Sequence, residues 1–403
     1  MNRRDFVKTA AAAGLAVSLG PLEGGADEKT LAKGAPFKIG WVRPTTGRLA
    51  SSFAQLYIGG LIAVDEINAA GGILGHPIVR VEEDDEASPA REPAVIRKLQ
   101  EAGVSYLCGP TGSSQALASF AVTTPARMIQ TGYAVAAGAG DGTKYPYHYQ
   151  CTFNTDQQGQ VAALYLVETL KVKKVGILQE NTAYGEQATA ASRAALEKLG
   201  VKPLTVEVYP LTAPDLNGYI GNLHKAGCEG IIAWIANIPN GAMAFNAMAA
   251  LKWYPPVTGH SGLFLDKIFD LVPVEAIQNV YGTYYKTLTW TVTSSPGPRQ
   301  VEYAKKIAKY PEAKGSECNV MAAPYYDFLH ILKHVIEEEK TFDTAAVKRG
   351  LDNVKGYKSI LGTVNLSPTN HSAISIDDMT LATIVSGKDP RSLGPFRERA
   401  KGL

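Results

Sequence analysis

Residues 37–82 read FKIGWVRPTTGRLASSFAQLYIGGLIAVDEINAAGGILGHPIVRVE and contain one complete strand–helix–strand unit, which decides the fold. The apolar run at 37–42 predicts a buried strand. It is followed by a helix pattern over 52–68, in which most apolar residues recur every three or four positions. The glycine pair 71–72 ends this helix, as glycine commonly does past a helix C-terminus. A second strand is predicted at 78–82.

The same alternation continues along the chain. Further strands are predicted at 104–108, 133–137, 175–179, 206–209, 231–235 and 280–285, and further helices at 89–99, 161–170 and 185–199. Strands that alternate with helices predict α/β architecture, in which mostly parallel sheets carry helices on both faces. About 370 residues follow the leader described below, which suggests two domains.

The N-terminus has the pattern of an export signal. Arg3 and Arg4 precede a short run rich in Ala, Leu, Val and Gly at 9–22, and the arginine pair fits the twin-arginine type of signal peptide. The alternative, a membrane anchor, is disfavoured because a span needs about 20 strongly apolar residues. We expect residues 1–26 to be the signal peptide, with cleavage near residues 24–26, and the mature protein to be periplasmic.

Charge and cysteine content limit the function classes. The formal net charge is +2 with both signs interspersed, whereas nucleic acid selects a clustered basic face, so we expect no nucleic-acid partner. The four cysteines are Cys108, Cys151, Cys228 and Cys318. Two disulfides with three possible connectivities, or small buried apolar residues, are both compatible with the sequence.

The usual catalytic and cofactor motifs are absent from the sequence. The glycine-rich stretch 138–142 lacks the spacing of a nucleotide-binding loop, and GHSG at 259–262 lacks the spacing of a nucleophile elbow. His330 and His334 share a helix face with Asp327 one turn earlier, but a solvated face explains them without a metal. We therefore predict no enzymatic activity, no cofactor and no metal site.

Small and hydroxylated residues follow two of the predicted strands. Thr45, Thr46, Gly47 and Arg48 come after the first strand, and residues 111–114 come after the third and run into a helix. Ligands bind outside the carboxyl ends of strands in open α/β sheets, and a helix N-terminus with hydroxyl groups suits a carboxylate. Helix capping is an alternative and compatible role for the serines of 113–114.

Several stretches together resemble one family. DEINAAGGILG at 65–75, the acidic pair 84–85, the loop 109–114 and Tyr184-Gly185-Glu186 resemble the leucine/isoleucine/valine-type periplasmic solute-binding proteins of ABC importers. The resemblance implies the type I periplasmic binding protein fold, in which two doubly wound α/β lobes with mostly parallel sheets are joined by a three-segment hinge.

The resemblance also implies domain boundaries and partners. The N-terminal lobe would comprise 37–152 plus about 286–362, and the C-terminal lobe 153–285 plus about 363–390. The protein would act as a monomer that captures a small-molecule ligand by hinge closure and docks on a membrane permease. A ligand-sensing receptor domain and a hydrolase of similar fold are the alternatives.

The family's pocket maps onto particular residues of this sequence. The ligand carboxylate would meet the serine-rich loop, and the remaining contacts would come from the loop after the fourth strand, from Tyr184, from the loop at about Ala236 and Asn237, and from position 261. The implied ligand-binding residues are Gly112, Ser113, Ser114, Ala136, Ala137, Gly138, Tyr184, Asn237 and Ser261.

One position departs from the family pattern. Where the family places an acidic residue for the ammonium group of an amino acid, this sequence has Ser261, with His260 beside it. A buried ammonium needs a paired carboxylate, which serine does not offer. Arg48 is placed to meet a carboxylate bidentately, or lies on the surface. An organic or aromatic acid is therefore an alternative to an amino acid, which would need Glu180 or Asp266 in the cleft.

Overall fold

The first strand–helix–strand unit is present in the computed structural model, which describes residues 31–47, 49–264, 267–314, 320–383 and 394–403. The predicted leader, Arg48, Asp266 and Cys318 lie outside the described residues. Strand β1 (Phe37–Val42) has the predicted bounds, and its side chains are buried except at Lys38.

The remaining elements follow in chain order. The first part contains α1 (Ala50–Phe53), α2 (Ile58–Ala69), β2 (Ile78–Glu83), α3 (Glu92–Glu101), β3 (Tyr106–Thr111), α4 (Ser113–Thr123), β4 (Ile129–Tyr133) and β5 (His148–Tyr149). The middle part contains α5 (Thr155–Leu164), β6 (Val175–Glu180), α6 (Ala183–Lys198), β7 (Thr205–Tyr209), α7 (Asn217–Lys225), β8 (Gly230–Trp234), α8 (Ile238–Ala250), β9 (Val257–Gly259), α9 (Ile268–Leu271), β10 (Val280–Tyr285) and β11 (Thr289–Trp290). The last part contains α10 (Pro298–Lys309), α11 (Ala323–Glu339), α12 (Thr344–Asp352), β12 (Tyr357–Lys358), β13 (Thr363–Val364), β14 (Met379–Thr383) and β15 (Arg397–Arg399).

Two separate sheets form the cores of two lobes. Within the described residues, the first sheet has the order β2-β1-β3-β4-β5, and all its neighbours are parallel. The second has the order β11-β15-β14-β10-β9-β8-β6-β7, and it is parallel except that β14 runs antiparallel to β10 and to β15. Helix α11 packs on α2 and so returns to the first lobe.

The chain passes between the lobes after β5, after β11 and between β13 and β14. Two of these crossovers are joined by backbone hydrogen bonds: the Gln150 N–H donates to the His371 carbonyl, and the Ala373 N–H donates to the Gln150 carbonyl. The lobes are therefore linked by paired extended segments. The predicted domain boundaries remain a prediction.

Several secondary-structure predictions were wrong in detail: the third strand lies at Tyr106–Thr111 instead of 104–108, and the helix predicted at 161–170 begins at Thr155. The fourth strand lies at Ile129–Tyr133 instead of 133–137. The prediction failed because buried polar residues interrupt the apolar pattern of this strand. The Gln130 amide donates to the Gly109 carbonyl at 2.9 Å, and the Thr131 hydroxyl donates to the Tyr149 carbonyl at 2.9 Å. The helix predicted at 52–68 is interrupted by a 3₁₀ turn at Ala54–Tyr57. There the Tyr57 ring stacks on Tyr325, and its hydroxyl donates to the Val42 carbonyl.

The cysteine question is partly resolved. Cys108, Cys151 and Cys228 are buried and free of disulfide bonds within the described residues. They behave as small apolar residues of the core, the second of the two readings that the sequence allows. Across the described ranges, no helix combines the length and apolar character needed to span a membrane.

Candidate functional site

A cavity lies between the two lobes, where the carboxyl ends of strands from both sheets meet. It contains about 870 Å³ of empty space, including its open mouth. The first lobe contributes residues that follow β1, β2, β3 and β4, and the second contributes residues at the ends of β6, β7, β8 and β9. Crevices of this kind are where ligands bind in open α/β folds, so the cavity is the candidate site.

The N-terminus of α4 forms one wall. Gly112 connects β3 to α4 with φ of +105°, a left-handed conformation that favours glycine. A Cβ atom at this position would lie 2.3 Å from the Gln115 side-chain oxygen. The turn therefore needs glycine, and it brings the first backbone N–H groups of α4 to the cavity without partners inside the helix.

The two serines that begin α4 have their oxygen atoms occupied by backbone donors. The Ala136 N–H donates to Ser113 Oγ at 3.0 Å, and the Ala183 N–H donates to Ser114 Oγ at 3.2 Å. Because each oxygen already accepts a hydrogen bond, each hydroxyl proton is left to donate. With the helix N-terminus behind them, these donors suit an anionic oxygen.

The opposite wall is the N-terminus of α6. The Thr182 hydroxyl caps this helix by accepting from the Gly185 N–H at 3.2 Å. Tyr184 lies in the first turn, lines the cavity and is buried. Both helix N-termini thus line the cavity, one from each lobe, and they touch through the bond between Ala183 and Ser114.

Glu180 places a buried carboxyl group in the cavity wall at the end of β6. It accepts hydrogen bonds from the Thr182 hydroxyl at 2.8 Å and from the Ala236 N–H at 3.2 Å. Burial raises the pKa of Glu180 to about 7, and these two hydrogen bonds only partly oppose the shift. The carboxyl group is therefore present in both charge states near neutral pH.

Direct contacts hold the lobes together in a closed arrangement. Besides the bond between Ser114 and Ala183, the Gly138 N–H donates to the Gln187 side-chain oxygen at 3.2 Å. Both bonds join the first lobe to α6 of the second. Ser114 and Gly138 therefore take part in contacts between the lobes.

The structure brings some of the predicted site residues together and not others. Gly112, Ser113, Ser114 and Tyr184 line the cavity. Ala136, Ala137 and Gly138 lie just behind or beside it, where their N–H groups donate to Ser113, Thr155 and Gln187.

At Asn237 and Ser261, the preceding residue of the chain lines the cavity instead. Asn237 instead caps α8 by accepting from the Asn240 N–H, and its neighbour Ala236 lines the cavity. Ser261 is fully buried away from the lining, whereas His260 lines the cavity.

Several lining residues were missed by the sequence analysis. Tyr133 and Val135 line the cavity, but the misplaced fourth strand concealed that they follow its end. Phe53 comes from α1, and Met321 comes from the segment before α11. Because ligands bind outside the carboxyl ends of strands, Tyr133 and Val135 can be identified once β4 is placed correctly. Met321 reaches the cavity only through packing between segments that are distant in sequence.

The histidines considered as metal ligands have other contacts. Asp327 is buried and accepts from the Ile360 N–H at 2.8 Å. His330 lies 3.3 Å from a Glu66 oxygen, and His334 lies 3.4 Å from a Glu338 oxygen. Among the residues that the structure describes, no group of three or more His, Cys, Asp or Glu side chains is arranged to hold a metal ion.

Sequence relatives cover most of the chain. A family model described as periplasmic binding protein matches residues 36–389. The Leu/Ile/Val-binding protein homolog 1 of Brucella abortus is 24% identical over 326 residues, which are 79% of this chain and 83% of that relative.

Solved structures share the fold at low sequence identity. The substrate-binding protein of a branched-chain amino acid transporter from Streptococcus pneumoniae, in complex with isoleucine, has a TM-score of 0.74 at 22% identity and covers 91% of this chain and 99% of that one. A solute-binding protein of an ABC transporter from R. palustris, in complex with 4-hydroxybenzoate, has a TM-score of 0.75 at 17% identity and covers 91% and 96%. These similarities confirm the predicted fold.

Proposed function

Because the chain belongs to the periplasmic binding protein family, we propose that it is the solute-binding receptor of an ABC importer. Members of this family bind solutes and are not enzymes. The observation that carries the proposal is the cavity, which is walled by the N-termini of α4 and α6 from opposite lobes. A ligand that contacts both walls is held completely only when the lobes are closed, which couples binding to hinge closure.

The ligand carries a carboxylate in this proposal. Ser113 and Ser114 line the cavity at the N-terminus of α4, where their hydroxyls and the first N–H groups of the helix are available to donate. No Lys or Arg is present in the described lining, so these neutral donors would stabilise the ligand's negative charge by hydrogen bonding. Anions are bound at helix N-termini by this combination of dipole and hydrogen bonds.

Two ligand classes fit the rest of the cavity. The name of the Brucella relative indicates branched-chain amino acids, and the two solved relatives hold isoleucine and 4-hydroxybenzoate. The wall is largely apolar, with Leu49, Phe53, Val135 and Met321, and so accepts an aliphatic or an aromatic body. Glu180 would be the counter-charge for an amino acid's ammonium group, in place of the acidic residue that is absent at Ser261.

The cellular setting completes the proposal. The leader at 1–26 would export the chain by the twin-arginine route, and the mature protein would act in the periplasm as a monomer. Its lobes would follow the predicted bounds, 37–152 with about 286–362 and 153–285 with about 363–390, except that β11 and β15 belong to the second lobe, because they pair in its sheet. The closed form would dock on the permease of the importer and release its ligand there.

Thermal-shift measurements on the mature protein test the proposal. A ligand at about 100 times its Kd stabilises the native state by about 2.7 kcal/mol, so a true ligand raises the Tm. We expect a rise with at least one member of a panel of amino acids, aliphatic acids and aromatic acids. A folded protein whose Tm is unchanged by the whole panel contradicts the proposal.

A matched pair of serine variants locates the binding. Ser113→Ala removes a donor from the cavity, and we expect it to weaken ligand binding about tenfold in calorimetric titration. Ser119→Ala is the control, because Ser119 is buried on the same helix, donates to the Ala116 carbonyl at 2.7 Å and lies outside the lining. The control should lower the Tm and leave Kd unchanged. Equal Kd values for the two variants would place the ligand elsewhere.

A further inference from the structure

Three polar side chains of the cavity wall are buried without hydrogen-bond partners. Tyr133, Tyr184 and His260 line the cavity and are 5%, 3% and 1% exposed. Within the described ranges, neither the two tyrosine hydroxyls nor His260 Nε2 has a hydrogen-bond partner of acceptable geometry. Buried polar atoms in native proteins are nearly always paired, so three unpaired ones in a binding cavity require an explanation.

The three side chains form one group, here called the polar patch. The ring centroids of Tyr184 and His260 are 5.3 Å apart, and those of Tyr133 and His260 are 6.3 Å apart, both edge to face. Tyr133 comes from the end of β4 in the first lobe, and the other two come from the second lobe. The patch therefore spans the cleft, with one member from the first lobe and two from the second.

The tautomer of His260 is fixed by its neighbour. The Gly262 N–H donates to His260 Nδ1 at 2.9 Å, so Nδ1 is an acceptor and the proton of a neutral ring is on Nε2. Burial lowers the pKa of His260 to about 3, which keeps the ring neutral. His260 Nε2 is therefore an uncharged donor in the cavity wall.

The two phenols add neutral groups that donate or accept. Burial raises the pKa of Tyr133 and of Tyr184 above the usual value, so both remain protonated. The nearby hydroxyls of Ser261 and Thr152 oppose the rise in the pKa of Tyr133 in part, but neither makes a hydrogen bond of acceptable geometry with it. The patch thus offers three hydrogen-bonding groups and no formal charge.

We infer that the polar patch binds an uncharged oxygen of the ligand, a hydroxyl or a carbonyl. The solute is then a carboxylic acid that carries a second, neutral oxygen group, and this inference rests on the proposed function. A hydrocarbon group against the patch would leave its donors buried and unpaired, which costs about tenfold or more in affinity for each group. Sites built to bind a hydroxyl reject analogues without it for this reason.

An ammonium group does not fit the patch. Nε2 of His260 is a donor and faces another donor unfavourably, and the phenols have no negative charge to offset the cost of burying a cation. The carboxyl group of Glu180 is the member of the described lining that suits an ammonium. The patch therefore determines specificity for the second oxygen, whether or not the ligand is an amino acid.

Pairs of acids that differ only by this oxygen test the inference. Calorimetric titration of the wild-type protein would compare 4-hydroxybenzoate with 4-methylbenzoate, and threonine with valine, because each pair has nearly equal shape. We expect the oxygen-bearing member of whichever pair binds to have a Kd at least tenfold lower. Equal Kd values, or tighter binding of the methyl-bearing acid, overturn the inference.

Variants assign the preference to the patch. Tyr184→Phe and Tyr133→Phe each remove one hydroxyl, and we expect each to reduce the preference at least threefold while the methyl-bearing acid binds as well as before. Tyr254→Phe is the control, because Tyr254 is exposed and outside the lining. Circular dichroism confirms that each variant is folded. A preference that is unchanged in both patch variants contradicts the assignment.

The two proposals fail in different ways. If all four acids and the wider panel leave the folded protein unbound, the proposed function and the inference are both wrong. If both members of a pair bind equally and Ser113→Ala weakens both, the proposed function stands and only the inference is wrong.

Discussion

Glu180 is a residue whose chemistry depends strongly on its position in the fold. In the sequence it is one acidic residue at the end of a predicted strand, and it was considered only as a possible partner for an ammonium group. In the structure it is buried in the cavity wall, and its pKa is raised from 4.5 to about 7. Desolvation is the largest cause, which no sequence pattern indicates.

The raised pKa makes Glu180 a source of pH-dependent stability. The folded protein holds this proton more tightly than the unfolded chain, so the contribution of Glu180 to the free energy of unfolding falls as pH rises from about 4.5 through about 7. We expect Glu180→Gln to raise the Tm relative to wild type more at pH 8 than at pH 5. The effect of the substitution on the free energy of unfolding should differ between the two pH values by on the order of 3 kcal/mol.

The control for this measurement is Glu186→Gln. Glu186 is exposed on α6, the helix that follows Glu180, so its charge is solvated in both states. The difference in Tm between this variant and wild type should be the same at both pH values. If the difference in Tm between Glu180→Gln and wild type is also the same at both pH values, the Glu180 carboxyl group is not buried as described.

Individual site residues were predictable from the sequence where they come directly after a predicted strand. Ser113, Ser114 and Tyr184 follow strand ends, and all three line the cavity. His260 and not Ser261 reaches the lining, a displacement of one position that resemblance cannot resolve because the short strand β9 (Val257–Gly259) sets which side chain turns inward. Residues such as Met321 depend on tertiary packing alone.

At the scale of elements, apolar runs in the sequence were sufficient to locate strands that consist mainly of apolar residues. β1 and β10 have the predicted bounds, β6 and β7 differ from prediction by one residue at one end, and β8 is shifted by one residue at both ends. β4 was missed because hydrogen-bonded polar side chains replace apolar ones on a strand that is buried throughout. Long-range hydrogen bonds, and not the local pattern, make such a strand stable.

The junction between β3 and α4 gives a prediction at this scale. Gly112→Ala puts a Cβ on a residue with φ of +105° and 2.3 Å from the Gln115 side chain, so we expect a lower Tm and weaker ligand binding, because the turn must shift. Gly221→Ala on α7 is the control, since a Cβ there meets nothing within 4 Å. It should leave binding unchanged and stabilise the helix by roughly 0.5–1 kcal/mol. Equal effects of the two variants would contradict the geometry of this turn.

At the scale of the whole molecule, the two sheets create a site that neither contains alone. The carboxyl ends of their strands face each other, and Ser114 and Gly138 join the first lobe directly to α6 of the second. Two of the three crossovers are hydrogen-bonded to each other near Gln150 and His371, and in the proposed function these segments would serve as the hinge. Opening at this hinge would break the contacts to α6 and expose both walls of the cavity.

The most direct test is a crystal structure of the mature protein with the acid that raises its Tm most. We expect the acid between the lobes, with its carboxylate about 3 Å from the hydroxyls of Ser113 or Ser114 and the first N–H groups of α4. The bond between Gly138 and Gln187 should be retained in that closed form. An acid bound outside the cleft, or a cavity left empty at saturating ligand, would contradict capture between the lobes.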